Sequence, residues 1–246
     1  IGAKIKFADI DPKTLNISIE SVEKLITKKT KAIVFVNYGG ILNNLEKLNK
    51  IAKKNKIILI QDAAQSLGSK VGNKDITDFA DFTIFSFQAI KHITSGDGGM
   101  LTFKDKKLLE KSRRIRWFGI DREKKQGGTW ENDITEIGYK YQMTDIGARM
   151  LLDSIQDFSN IFSHRRKIFN IYKKELSKNE NIKVIDTTDK SLTNSYWLCT
   201  LILKKNRIKL QNYLRKPKIE TNQVHFRNDR YRIFKKFVKK SNFPIM

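Results

Sequence analysis

An acid, a hydroxyl and a lysine stand at the ends of successive apolar runs. Asp62 closes the run Ile57-Ile58-Leu59-Ile60, Ser86 closes Phe82-Thr83-Ile84-Phe85, and Lys91 follows in the loop Gln88-Ala89-Ile90-Lys91-His92, ahead of Gly96-Asp97-Gly98-Gly99. If these runs are parallel strands, ligands are expected outside their carboxyl ends, where the three groups would meet. That set suits pyridoxal 5'-phosphate: the lysine makes a Schiff base, the acid pairs with the pyridinium nitrogen, and the hydroxyl holds phosphate. Each element alone has a plainer reading. A lone Asp after a strand is usually a turn or cap, a loop lysine is usually solvated, and Gly-x-Gly-Gly is usually a turn. Order and spacing together shift the balance toward chemistry.

The elements that must position these groups alternate in type. Strands are expected over Ile5–Ile10, Lys31–Val36, Ile57–Ile60, Asp81–Phe87 and Met100–Phe103. The run Ala32-Ile33-Val34-Phe35-Val36 has the form of a strand buried on both faces. Helices fall between them: one capped by Ser18 and running to about Ile26, and one over Leu45–Lys54 with Leu45, Leu48, Ile51 and Ala52 on one face. This order predicts a three-layer, mostly parallel α/β sheet. A helix follows over Lys106–Trp117, then a loop over Gly119–Asp133 and a helical stretch over Thr144–Lys178 with a break near Asn160. The remainder reads α+β. It has strands at Ile182–Ile185, Tyr196–Leu203 and Glu220–Phe226, a helix over Asn206–Leu214, and a last helix from Tyr231.

Composition narrows the class. Of 246 residues, 39% are hydrophobic, enough for a core, and the single Cys199 rules out a disulfide scaffold and is expected in the core. No apolar run reaches the ~20 residues that span a bilayer, so a cytoplasmic protein with no membrane partner is expected. The formal net charge of +23 invites a nucleic-acid reading, but 37 Lys and 12 Arg are spread along the whole chain. Net charge of that kind speaks to non-specific association, so no nucleic-acid partner is expected. The three histidines are too dispersed for a metal site.

The motifs Asp62-Ala63-Ala64-Gln65-Ser66, Phe85-Ser86-Phe87-Gln88-Ala89-Ile90-Lys91 and Gly96-Asp97-Gly98-Gly99, taken together, resemble the DegT/DnrJ/EryC1/StrS family of sugar aminotransferases, which have fold type I. Phe7-Ala8-Asp9-Ile10-Asp11, Gly138-Tyr139-Lys140-Tyr141-Gln142-Met143 and His164-Arg165-Arg166 extend the likeness over essentially the whole chain. The stretch around Lys91 looks most like the branch acting on 4-keto nucleotide sugars. The resemblance implies a pyridoxal-phosphate transaminase that moves an amino group from an amino acid, with glutamate the expected donor, to a keto nucleotide sugar. Such activity would serve cell-surface polysaccharide or related sugar biosynthesis.

Carried over residue by residue, it implies that Lys91 holds the cofactor and then moves the proton. Asp62 would face the pyridine nitrogen, Gln65 would lie near the ring hydroxyl, and Ser86 would bind phosphate. Gln142 would reach the neighbouring subunit's cofactor in a homodimer, and His225 would sit at the substrate rim. Gly96–Gly99 would be a tight loop in which a Cβ collides with cofactor or partner chain. Relatives often carry Asn and Arg where this chain has Lys140 and Gln142, and Lys140 reads equally as a surface residue. His225, alternating with Val224 and Phe226, reads equally as a solvent-facing strand residue.

The implied organisation is a cofactor-binding large domain over residues 1–165, lacking its N-terminal part, and a truncated small α+β domain over 166–246. The likeness begins after the family's first phosphate anchor and stacking aromatic, so an internal fragment, itself a poor enzyme, is expected. Two alternatives stand beside this reading. One is a sugar dehydratase of the same family, whose members carry His where this chain has Lys91. The other is a non-catalytic basic binding protein.

Overall fold

In a computed structural model of the chain, residues 2–121, 134, 136–235, 237 and 243 are described. Most of the loop expected over Gly119–Asp133 therefore lies outside the described residues. The chain enters without the first expected strand. Ile5–Ile10 is irregular apart from a single antiparallel bridge between Ile10 and Ile17. α1 (Ile19–Leu25) begins where expected, with Ser18 Oγ accepting the Ser21 N–H at 3.2 Å.

β1 (Ala32–Val36), α2 (Leu45–Lys54) and β2 (Ile58–Asp62) form the first strand–helix–strand unit. Two short strands follow, β3 (Lys70–Val71) and β4 (Lys74–Asp75), then β5 (Phe82–Ser86) and β6 (Gly99–Phe103). The main sheet has four strands in the order β1-β2-β5-β6, with β1, β2 and β5 parallel and β6 antiparallel to β5. β6 can run back because only a loop joins it to β5; a parallel neighbour would need a longer crossover.

The strands are not buried on both faces, as the apolar run in β1 suggested. Ile33, Phe35, Leu59 and Phe85 point into a core with Leu45, Leu48, Ile51 and Ala52 of α2, and Leu48 and Leu59 are almost wholly buried. Register places Val36, Asp62, Ile84 and Leu101 side by side on the opposite face. There Val34, Val36, Ile58, Ile84 and Leu101 are exposed, Val34 at 61%. An apolar run reports that a strand has no polar face; it does not report what covers it.

α3 (Leu109–Arg116) is followed by a close crossing in which Trp117 bridges to Lys140 and the Lys140 ammonium sits 4.0 Å from the Trp117 ring centroid. Lys140 is thus an exposed lysine that covers an indole. The long helical stretch breaks at Asp157, not Asn160, into α4 (Asp145–Gln156) and α5 (Phe158–Leu176). Thr144 caps α4, its Oγ1 accepting the Gly147 N–H at 3.2 Å.

β7 (Ile182–Val184) pairs antiparallel with β9 (Leu201–Leu203), while β8 (Leu192–Thr193) pairs antiparallel with β3. The expected strand over Tyr196–Leu203 is therefore only its last three residues. Tyr196 has φ 48°, a left-handed conformation that ends any ladder there. α6 (Arg207–Arg215) is the helix expected over 206–214. Residues 220–226 carry strand-like alternation but form no strand, and two 3-10 turns, Asn228–Arg230 and Arg232–Phe234, stand where the last helix was expected to begin. Cys199 is exposed and not in the core, since the backbone around it is irregular and turns it outward.

Candidate active site

The parallel strands deliver their carboxyl ends together. Val36, Asp62 and Ile84 are in register, and Ser86 closes β5 opposite Gly99. β1 continues into a turn held by a buried amide network. Asn37 Nδ2 donates to Ser66 Oγ at 3.2 Å, and Asn43 Nδ2 donates to Asn37 Oδ1 at 3.0 Å. Gly39 and Gly40 follow with φ 66° and 81°. A Cβ at Gly40 would lie 2.4 Å from Ser195 Oγ and 2.7 Å from both Gln65 O and Trp197 N, so only glycine fits this turn.

Asp62 is half-buried, and its Oδ1 accepts the Ala64 N–H at 2.9 Å, which fixes the carboxylate at the strand end. Gln65 Oε1 accepts the Gly39 N–H at 2.6 Å, tying the end of β2 to the turn after β1. Ser86 Oγ sits at the mouth of the next loop, accepting the Gln88 N–H at 3.4 Å.

That loop carries Lys91 in a turn closed by Lys91 N–H donating to Gln88 O at 2.9 Å. Its far side is anchored by Thr94, whose Oγ1 donates to Phe87 O at 3.1 Å and whose N–H donates to Ser154 Oγ at the same distance. Burial lowers the Lys91 ammonium below the ordinary lysine range, while the negative charge of Asp62 pulls it back up. The Lys91 amine thus feels the negative charge of Asp62.

Two glycines of the Gly96–Gly99 loop, Gly98 and Gly99, are packed tightly against their own chain. A Cβ at Gly98 would meet Ser95 Oγ at 2.7 Å and Met143 Cε at 3.0 Å, and one at Gly99 would meet Phe85 O at 2.6 Å. The constraint is the chain's own packing. Through Met143, this loop also neighbours the segment of Gln142, which is half-buried just before α4. His225 is exposed, with its ring 6.1 Å from that of Tyr38 and nearly perpendicular to it, which places it beside the turn after β1.

Sequence reasoning missed the segment 194–200, which crosses these strand ends. Asn194 Oδ1 accepts the Leu42 N–H at 2.9 Å. Ser195 N–H donates to Gly40 O at 3.1 Å, Ser195 Oγ donates to Gln65 O at 2.7 Å, and Leu198 N–H donates to Gly39 O at 3.1 Å. His92 also joins it: its buried ring places Nε2 3.3 Å from Ser195 O, and since a carbonyl only accepts, that nitrogen carries the proton. Trp197 is fixed next to Lys91, with the ammonium 4.3 Å from the ring centroid. The available signal was the polar interruption Asn194-Ser195 ahead of an aromatic pair, which was absorbed into a strand.

The family model described as the DegT/DnrJ/EryC1/StrS aminotransferase family matches residues 1–244. The chain belongs to this family. It is 32% identical over 227 residues to the GDP-perosamine synthase of Escherichia coli O157:H7, covering 92% of this chain and 60% of that protein. The solved structure of Helicobacter pylori PseC, an aminotransferase involved in the biosynthesis of pseudoaminic acid, superposes with a TM-score of 0.88 at 27% identity. It covers 98% of this chain and 64% of its own. The E. coli GDP-4-keto-6-deoxy-D-mannose-3-dehydratase, solved with bound hydrated PLP, superposes at 0.79 with 28% identity, over 88% of this chain and 59% of its own. The fold is thus that of the family's α/β enzymes, and the chain spans about three-fifths of the length of these relatives.

Proposed function

We propose that the protein is a pyridoxal-phosphate-dependent aminotransferase that transfers an amino group from an amino acid to a keto nucleotide sugar. The observation that carries this reading is the placement of the Lys91 amine in the field of Asp62, at the carboxyl ends of parallel strands. The donor set fits the cofactor: a nucleophilic amine, a carboxylate at a strand end and a hydroxyl at the next strand end. When bound, pyridoxal phosphate supplies an electron sink for breaking bonds to the substrate carbon.

The chain's own residues do the rest. Lys91 Nζ, partly desolvated, is the group that would hold the cofactor and would serve as the acid and base that moves the proton. Asp62 keeps a negative charge where a ring nitrogen needs to stay protonated. The amide NH2 of Gln65 is the end that would face a ring hydroxyl oxygen, since its Oε1 is held by Gly39. Ser86 Oγ binds phosphate. Gln142 reaches the site of a second copy in a homodimer, and His225, beside Tyr38, borders the sugar. Residues 1–165 form the cofactor-binding domain and 166–246 the smaller one, in a protein of the cytoplasm; among the described residues no helix is long and apolar enough to cross a membrane.

A dehydratase of the same fold is the second reading, favoured by the superposition on the E. coli enzyme. Lysine at position 91 supports transamination over it, because a lysine can hold the carrier covalently between half-reactions. The test is Lys91→Ala in the full-length protein. Turnover of amino acid and keto sugar nucleotide should vanish, together with the cofactor label that borohydride fixes at this residue. Full transaminase activity in the variant would sink the proposal.

A further inference from the structure

Trp197 stands outside every motif that carries the family likeness, yet its ring lies against the Lys91 amine. The Lys91 ammonium lies over its ring, 4.3 Å from the centroid. Its Nε1–H donates to the carbonyl of Ile90, the residue before the lysine, at 3.1 Å. Its own carbonyl accepts from Arg165 Nη1 at 3.2 Å, and the neighbouring Leu198 N–H is bonded to Gly39 O at 3.1 Å. The backbone that carries the indole is therefore held by α5 on one side and by the turn after β1 on the other, while the ring contacts both the backbone and the side chain of the lysine turn.

A four-carbon lysine stem has many rotamers, and fixing one of them costs conformational entropy. An aromatic face offers a cation a preferred seat without a competing anion. Asp62 alone gives attraction at a distance. It leaves the line of approach of Nζ undetermined, and attack on a carbonyl carbon depends on that line.

We propose that Trp197 is a positioning residue for Lys91: its ring face sets the direction of the amine, and its N–H pins the turn from which the side chain departs. This rests on the assignment of Lys91 as the cofactor lysine. The bonding to Lys91 is by contact alone, so no atoms are transferred to or from the indole.

The experiment uses the full-length protein and two aldehydes, each fixed with borohydride and mapped by peptide mass spectrometry. Pyridoxal phosphate must approach Nζ along one line; formaldehyde is small enough to approach from any. In the unsubstituted protein, pyridoxal phosphate should label Lys91 far ahead of the surface lysines. Trp197→Leu should cut that share about tenfold, on the order of what the loss of a fixed line of approach costs. Formaldehyde labelling of Lys91 should stay within about twofold under the same scale of reasoning, because it needs no fixed direction. Trp197→Phe, which keeps a ring face and loses only the N–H, should recover most of the share. An unchanged pyridoxal phosphate share in Trp197→Leu would overturn the inference while leaving Lys91 as the cofactor lysine. So would a loss in Trp197→Phe as deep as in Trp197→Leu, or equal losses with both aldehydes. No preference for Lys91 in the unsubstituted protein would instead overturn the cofactor assignment itself.

Discussion

Lowering the pH should unfasten the lysine turn through His92. The imidazole is 4% exposed, and burial, reinforced by the positive charge of Arg165, lowers its pKa from 6.5 to about 4. The folded protein therefore keeps this ring neutral while the unfolded chain protonates it below the ordinary value. Its contribution to stability is complete above about pH 6.5, declines as pH falls, and is gone by about pH 4. A gap of this width corresponds to roughly 3 kcal/mol at about 1.4 kcal/mol per pH unit. His92→Gln keeps an amide N–H for Ser195 O and removes the titration. Urea midpoints of both proteins, measured in steps from pH 7 to pH 4, should diverge, the parent losing roughly 3 kcal/mol more than the variant over that window. Acid-sensitive carboxylates act equally in both and cancel in the difference. Parallel curves would refute the reasoning, since they would mean that the ring is hydrated or already charged in the folded state.

Two further outcomes follow from the same geometry. Gly40→Ala should destabilise the fold by about 2–4 kcal/mol in urea denaturation, because the added carbon meets backbone at Gln65 and Trp197 and φ is positive. Asp62→Asn should lower the pH midpoint for acylation of Lys91, since the negative charge that raises its pKa is removed, and should slow turnover by about two orders of magnitude, on the order of 3 kcal/mol; an unchanged rate would leave Asp62 as no more than a strand-end cap.

The sheet and the lysine turn were readable because local signals agreed there. Apolar runs, capping by Ser18, and polar residues at strand ends all describe the same βαβ framework. Where the reading failed, the deciding contact was distant. Alternation over 220–226 has the period of a strand, yet among the described residues no strand pairs with it and it stays irregular. The run 196–203 is apolar enough for a strand, but Ser195 and Leu198 give their N–H groups to the turn at Gly39–Gly40 instead. The apolar character of β1 gave its secondary structure and not its covering, since alternate residues on the face of Asp62 are exposed. Among site residues, Asp62 and Lys91 announced themselves by position in a motif, whereas Trp197 and Ser195 have roles that exist only across the tertiary fold.

The crossing of the strand ends by residues 194–198 also sets when the site can come into being. The bonds from this segment to Leu42 and Gly40 close loops of 152 and 155 residues. Contacts between such remote parts of a chain are slow to form, because the ordering of the intervening residues precedes any gain. On a ribosome adding about 5–20 residues per second, roughly 5–20 s separate the emergence of Lys91 from that of Trp197. For that interval the amine has no aromatic seat and the Gly39–Gly40 turn has no partner for its carbonyls. The covering of these strand ends is in that sense a checkpoint on synthesis: a nascent chain that ends before residue 194 lacks the segment that bonds to Leu42, Gly40 and Gly39.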